Sequence, residues 1–343
     1  MKFNTKCVHG SGKPDSTGAI SPAIYMSSTF THPGLGETTG FQYTRESNPT
    51  RDRLETLIAG LEEGTDAIAF SSGMAAVDAV FHLFSPGDHV ILGDDLYGGS
   101  IRLFTNIYEK NGVEFTYVGT SDLDAVQAAF KPNTKAVYIE TPTNPMMEIT
   151  DVRALSKMAH DRNALVIVDN TFLSPYFQKP LHLGADIVVH SGTKFIGGHH
   201  DVISGFTIVK DDELAAQLRL IYKTVGACLS AFDSWLVIRG IKTLALRMEQ
   251  HQKNAIALAE WLKQEPKVTK VLFPGLPEHP GYEVNKSQTT GFGGMLSFEV
   301  DSEETAKQVL EGIQLIQFAE SLGGTESLLT YPVTQTHPDL KPE

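Results

Sequence analysis

The chain has 343 residues, 41% hydrophobic and 20% charged, with two cysteines and a formal net charge of −13. That length and apolar content suffice for one large domain or two with a full core, and the acidic balance argues against a nucleic-acid or anionic-membrane partner. Cys7 and Cys228, neither in a Cys-x-x-Cys spacing, read as free thiols of a reducing compartment. Residues 1–6 lack the apolar core of a signal peptide and no apolar run reaches membrane-spanning length, so a cytoplasmic protein is expected.

Residues 1–50 are rich in Gly, Pro, Ser and Thr and follow no period of 2 or 3.6, which predicts an irregular arm. A loop this long within a compact protein is functional or wrapped on a partner. It closes in Tyr43-Thr44-Arg45-Glu46-Ser47-Asn48-Pro49-Thr50, where Asn-Pro marks a turn, and a helix starts near Thr50 with Leu54, Leu57, Ile58 and Leu61 on one face. From 64 to 210 strands at 67–70, 89–92, 114–118, 136–139, 165–168, 186–189 and 203–209 alternate with helices at 73–84, 99–111, 122–130 and 150–162. The alternation predicts a mainly parallel, seven-stranded sheet with helices on both faces. Beyond 210 come a helix at 211–225, a long helical stretch at 232–263 with Gly240 as its weak point, strands at 268–273, 295–300 and 315–318, and a helix at 302–312. The Pro- and Gly-rich residues 274–294 read as a loop. The expected division is an arm at 1–50, an α/β domain at 51–230 and a smaller α+β domain at 231–343.

In a parallel sheet ligands bind at the carboxyl ends of the strands, and the informative residues follow those ends. Ser71-Ser72-Gly73-Met74 opens a helix, and free backbone N–H groups there suit a phosphate. Tyr97 follows the second strand, where a ring can stack on a planar cofactor. Asn144 is presented by a turn between Pro142 and Pro145. Asp169 ends a fully apolar strand, and a buried carboxylate needs a partner such as a pyridinium N–H. Lys194 follows the strand at 186–189, flanked by Ser191 and Thr193, whose hydroxyls suit phosphate oxygens. Desolvation lowers the pKa of an amine, and a neutral amine forms a Schiff base with an aldehyde. An aldehyde carrying a phosphate describes pyridoxal phosphate. Taken singly, these residues read more readily as a cap, a packing ring, a turn or a surface lysine; it is their company at one sheet edge that favours the chemistry.

Taken together, Tyr43-x-Arg45-x-x-Asn48-Pro49-Thr50-Arg51, Ser71-Ser72-Gly73-Met74-Ala75, Tyr97-Gly98-Gly99, Glu140-Thr141-Pro142-Thr143-Asn144-Pro145, Val168-Asp169-Asn170-Thr171, His190-Ser191-x-Thr193-Lys194 and Glu320-Ser321-Leu322-Gly323-Gly324-x-Glu326-Ser327 resemble the trans-sulfuration family of pyridoxal-phosphate enzymes, across the whole chain. The resemblance implies an aspartate-aminotransferase-like fold and a homotetramer, a dimer of dimers with shared active sites. It implies Lys194 as the cofactor-bearing lysine and acid/base, Asp169 on the pyridine nitrogen, and Tyr97 stacked on the ring and active in proton transfer. Gly73, Met74, Ser191 and Thr193 would hold the phosphate, and Tyr43 and Arg45 would reach the phosphate of the neighbouring subunit. Asn144 and Ser321 would sit near the cofactor oxygen and the substrate carboxylate, with Arg102 and Glu320 on the substrate side.

Glu320 stands where the resemblance puts an aromatic in the β-lyases, which tilts the expectation toward γ-replacement or γ-elimination on an O-acylhomoserine or cystathionine. Gly36-Glu37-Thr38-Thr39-Gly40-Phe41 and Thr330-Tyr331-Pro332-Val333-Thr334-Gln335-Thr336-His337 resemble bacterial cystathionine γ-synthases, with the γ-lyases next and the β-lyases third. The family continues past Thr336-His337 to a Leu-Arg-x-Ser motif whose arginine takes the substrate α-carboxylate, whereas this sequence stops at Glu343. The expectation is therefore either a fragment or a site completed by another residue, with Arg102 as the candidate. A protein that binds the cofactor without turnover is the non-enzyme alternative. The histidines show no metal-ligand spacing.

Overall fold

The computed structural model describes residues 1–335; Thr336, His337 and the chain end at Glu343, which entered the sequence reading, lie outside the described residues. Seven strands, β1 (Asp66–Phe70), β2 (His89–Gly93), β3 (Glu114–Val118), β4 (Thr134–Glu140), β5 (Leu165–Asp169), β6 (Ile187–Ser191) and β7 (Gly205–Val209), form one sheet. Their order is β1-β7-β6-β5-β4-β2-β3. β7 runs antiparallel to both its neighbours, and every other pairing is parallel. The inner strands read as apolar runs because both faces are covered. Ile68, Phe70, Leu92, Tyr138, Ile167 and Val189 lie on one face beneath the helices Gly73–Phe81 and Asp212–Val225. Ala69, Ile91, Val137, Val166 and Val188 lie on the other, against the helices Pro49–Glu62, Val152–His160 and Ala231–Ile241.

This two-residue alternation sorts the polar residues at the strand ends as well. Glu140, Asp169 and Ser191 share the face of the helix Gly73–Phe81. Asn170 and His190 project to the opposite face, where His190 meets Glu62 at 2.5 Å and the Asn170 amide bonds both Glu62 and the Gln178 carbonyl.

The structure corrects several expectations drawn from the pattern. Residues 1–50 are not wholly irregular: Phe3–His9 is a helix that buries Cys7, and Lys6 ties it to the Gly60 carbonyl and to Glu63. Seven residues show too little periodicity to signal a helix, and it is tertiary docking that holds it. The stretch 232–263 is two helices, Ala231–Ile241 and Leu244–Leu262. Gly240 belongs there because a Cβ on it would meet the Gly197 carbonyl oxygen at 2.2 Å, so this helix lies against the backbone of the loop after β6. Residues 274–294 contain the helix Tyr282–Gln288, anchored by Gln288, which accepts from the Val152 N–H and donates to the Thr150 carbonyl. The helix expected at 73–84 ends at Phe81, and that expected at 99–111 is Gly98–Leu103 continued by a π-helical turn, Phe104–Tyr108.

Beyond the large sheet, β8 (Val268–Leu272) pairs antiparallel with β9 (Ser297–Val300), and β10 (Gln317–Phe318) pairs parallel with β11 (Leu328–Leu329). Ala255, Ala259, Phe273 and Leu276 form a small core of their own there. Among the described residues no helix is long and apolar enough to cross a membrane.

Candidate active site

The site is built where β1, β6 and β7 meet. Ser72, in extended conformation, caps the helix Gly73–Phe81 by accepting from the Ala75 N–H at 3.0 Å. A Cβ on Gly73 would lie 2.9 Å from the Ser191 Cβ, and one on Gly205 would lie 2.1 Å from the Ser72 carbonyl oxygen. Glycine at both positions lets the helix N-terminus sit directly on the end of β6. Backbone N–H groups, the positive end of the helix and the Ser191 hydroxyl thus face one small space, which suits a phosphate. Thr193 is beside it, but its hydroxyl is bonded to both the N–H and the carbonyl of Ser204, at 3.1 and 3.2 Å, and so stiffens the turn.

Lys194 follows in that turn. Its amine donates to the Ser321 hydroxyl at 2.9 Å, across 127 residues of sequence. Burial lowers its pKa below the usual lysine value, and the Glu320 carboxylate partly opposes the shift. Ser321 has φ of 90° and Gly323 of 81°; a Cβ on Gly323 would be 2.5 Å from the Phe195 nitrogen. A serine held in the left-handed region marks a backbone set by its surroundings, here the packing of residues 320–324 against the Lys194 turn. Arg247, itself buried, donates to the Phe195 and Gly240 carbonyls and fixes the turn from below.

Asp169 ends β5 and is half-buried. Its Oδ1 accepts from the Thr171 N–H at 2.9 Å. Desolvation raises its pKa, while the Thr171 donors and the charge of His190 act in the other direction. The Thr171 hydroxyl accepts in turn from the Ser191 N–H at 2.8 Å, which joins the acid to the phosphate cradle. Tyr97 precedes the helix Gly98–Leu103 and is 41% exposed. A Cβ on Gly99 would be 2.4 Å from the Tyr97 ring and 3.1 Å from the Met74 sulfur, so the ring lies over Gly99 next to Met74. Its backbone N–H donates to both oxygens of Glu140, at 3.0 and 3.2 Å.

Gly73, Met74, Tyr97, Asp169, Ser191, Lys194 and Ser321 are therefore linked at one sheet edge. Glu140 was given no role from sequence, although it carries the signal that singled out Asp169: a carboxylate ending an apolar strand. Asn144 is half-buried in the turn after β4, beside Pro145 and its cis peptide bond. Arg102 is exposed on the helix Gly98–Leu103. Glu320 is exposed beside Ser321. Tyr43 and Arg45 stand apart in the arm: Arg45 lies over the Tyr43 ring, bonds the Lys223 carbonyl and packs on Gly226.

A profile described as Cys/Met metabolism PLP-dependent enzyme matches residues 4–343. The chain belongs to that family. Its cofactor is pyridoxal 5'-phosphate. These residues fit this group: a glycine-lined cradle for the phosphate, a carboxylate without a Lys or Arg partner among the described residues for the pyridine N–H, and a desolvated amine for the aldehyde. Among relatives, a cystathionine γ-synthase of Haemophilus influenzae is 50% identical over 96% of this chain and 86% of its own length. A cystathionine β-lyase of Lactococcus lactis is 48% identical over 99% and 90% respectively. The crystal structure of cystathionine γ-lyase from Lactobacillus plantarum complexed with L-serine is 47% identical and superposes with a TM-score of 0.97, covering 99% of this chain and 90% of that one.

Proposed function

We propose that this enzyme carries out trans-sulfuration by γ-replacement or γ-elimination, on an O-acylhomoserine or on cystathionine. Bound at the sheet edge, the cofactor supplies an electron sink for charge developing on substrate carbon. Gly73, Met74 and Ser191 hold its phosphate, with Thr193 bracing the turn. Asp169 would accept from its pyridine N–H, and Tyr97 would stack on the ring. Lys194 would hold the cofactor covalently, and its amine would move protons at the α- and β-carbons of the amino acid; Tyr97 would assist that transfer. Asn144, Ser321 and Arg102 serve the substrate side. Tyr43 and Arg45 reach the site of a neighbouring subunit in a homotetramer.

The observation that carries γ- over β-chemistry is Glu320. Its carboxylate raises the Lys194 pKa against the effect of burial. γ-Chemistry asks the same amine to take up and return protons at two carbons, and a carboxylate beside it favours the protonated form that returns them. The resemblance adds that an aromatic stands here in β-lyases. The cystathionine β-lyase relative at 48% identity makes the β-reaction the reading to test against. A side-by-side assay of O-acetylhomoserine and O-succinylhomoserine with cysteine, and of cystathionine alone, decides it. γ-Adducts or 2-oxobutyrate are expected; dominant pyruvate and homocysteine from cystathionine would overturn the assignment.

A further inference from the structure

Glu140 is the last residue of β4 and sits opposite Asp169, the last of β5, in the parallel register. Opposed residues of a parallel pair project to the same face, so two carboxyls share one edge of the site. Glu140 is 8% exposed. Both its oxygens are directed at a single donor, the Tyr97 N–H. Two opposed acids, one buried and one half-buried, resist ionising together; the pair retains a proton.

The surroundings say which acid keeps it. Asp169 has the Thr171 donors and the neighbouring His190 to favour its charge. Among the described residues Glu140 has one amide, that of Tyr97, and the charged groups acting on it are Asp169 and Asp95, both acids. Desolvation, then these two neighbours, push the Glu140 carboxyl far above the usual range. Tyr138, two residues back on the same face, is likewise pushed up by burial and then by Asp169 and Glu140, so it stays a neutral phenol.

We propose that Glu140 is a further positioning residue of this site: an uncharged acid that anchors the Tyr97 backbone, keeping the ring on Gly99 and Met74, and that leaves Asp169 as the one anion available to the pyridine nitrogen. The proposal rests on the reading of Tyr97 and Asp169 as the residues that flank the cofactor. A charged Glu140 would compete with Asp169 for the protonated nitrogen; a missing one would leave the Tyr97 N–H without its acceptor and free the loop that carries the ring.

Glu140→Gln keeps an acceptor and the neutral state, and Glu140→Ala removes both. In the wild-type minus Glu140→Gln infrared difference spectrum at pH 7, the carbonyl stretch of a protonated carboxyl is expected; bands of an ionised carboxylate alone would overturn the proposal. Titration with pyridoxal phosphate is expected to give a Glu140→Gln affinity within about twofold of wild type and a Glu140→Ala affinity weaker by about tenfold or more, the scale of one lost buried hydrogen bond. Equal affinity of Glu140→Ala and wild type, or equal loss in both variants, would overturn it. If Glu140→Ala does not fold, the infrared comparison on Glu140→Gln decides alone. Failure of the underlying reading is distinguishable, because it appears as an Asp169→Ala variant with unchanged kcat, whatever the Glu140 variants do.

Discussion

On the proposed reading, the Lys194 amine owes its reactivity to its position. Most lysines are solvated and protonated, whereas this one is largely desolvated, bonded to the Ser321 hydroxyl and close to one carboxylate. Lys194→Ala is expected to abolish the visible absorbance of the covalently held cofactor together with turnover; a variant that stays yellow and reducible by borohydride would remove Lys194 from its role. On the proposed reading, Asp169 acts through charge at the far side of the ring. Asp169→Ala is expected to retain the cofactor through the phosphate cradle and to lose roughly 10²-fold or more in kcat, a few kcal/mol of transition-state stabilisation. An unchanged kcat in that variant would refute the assignment.

At the scale of elements, two helices do work that their sequences conceal. The helix Ala231–Ile241 touches the active-site loop through Gly240, whose missing side chain admits the Gly197 carbonyl. Gly240→Ala forces that contact apart. The expected cost is about 1–3 kcal/mol from overpacking, read by urea denaturation, with weaker cofactor binding because the displaced loop carries Lys194. The helix Phe3–His9 is docked through Cys7, which is 2% exposed and whose thiol is pushed by burial from 9.0 up to about 11. A raised folded-state pKa means that the folded protein keeps the proton after the unfolded chain has lost it. The associated stability is fully present below pH 9.0 and is lost as pH rises from there to about 11. Wild type is therefore expected to lose more unfolding free energy between pH 8.5 and 10.5 than Cys7→Ala, by up to about 2 kcal/mol; parallel pH profiles would show that the thiol is not ionisation-linked to folding.

Considered as a whole molecule, the chain leaves its N-terminal arm uncovered. Ile20 is 87%, Met26 73% and Leu35 107% exposed, an unusual display of large apolar side chains along one segment. Tyr43 and Arg45 lie in the same segment, where Tyr43 bridges to Thr29 and Arg45 reaches Lys223 and Gly226. We take this arm to dock on a neighbouring subunit and to complete its phosphate site. Mixing inactive Arg45→Ala chains with inactive Lys194→Ala chains should then restore activity, since a hybrid contains one site with both residues intact. Hybrids demonstrated by mass spectrometry but without activity would count against a shared site.

The alternation of apolar strands and amphipathic helices was legible in the sequence because a parallel sheet buries both faces of its strands, and that burial dictates residue type along the chain. The residues after the strand ends were legible too, since the carboxyl edge is where a parallel sheet leaves backbone and side chains unspent by pairing. Ser72, Gly73, Tyr97, Asp169, Ser191 and Lys194 each follow that rule. What remained hidden depends on contacts between distant segments. The helix Phe3–His9 exists because it docks, the glycine at 240 is needed because another backbone passes there, and Ser321 meets Lys194 only when residues 320–324 fold back onto the turn after β6. Glu140 shows the division within one residue: its place at the end of an apolar strand was visible, but its partner in register and the single amide it holds were decided by tertiary structure, because pairing in a sheet and the field of neighbouring charges depend on distance in space, not on separation along the chain.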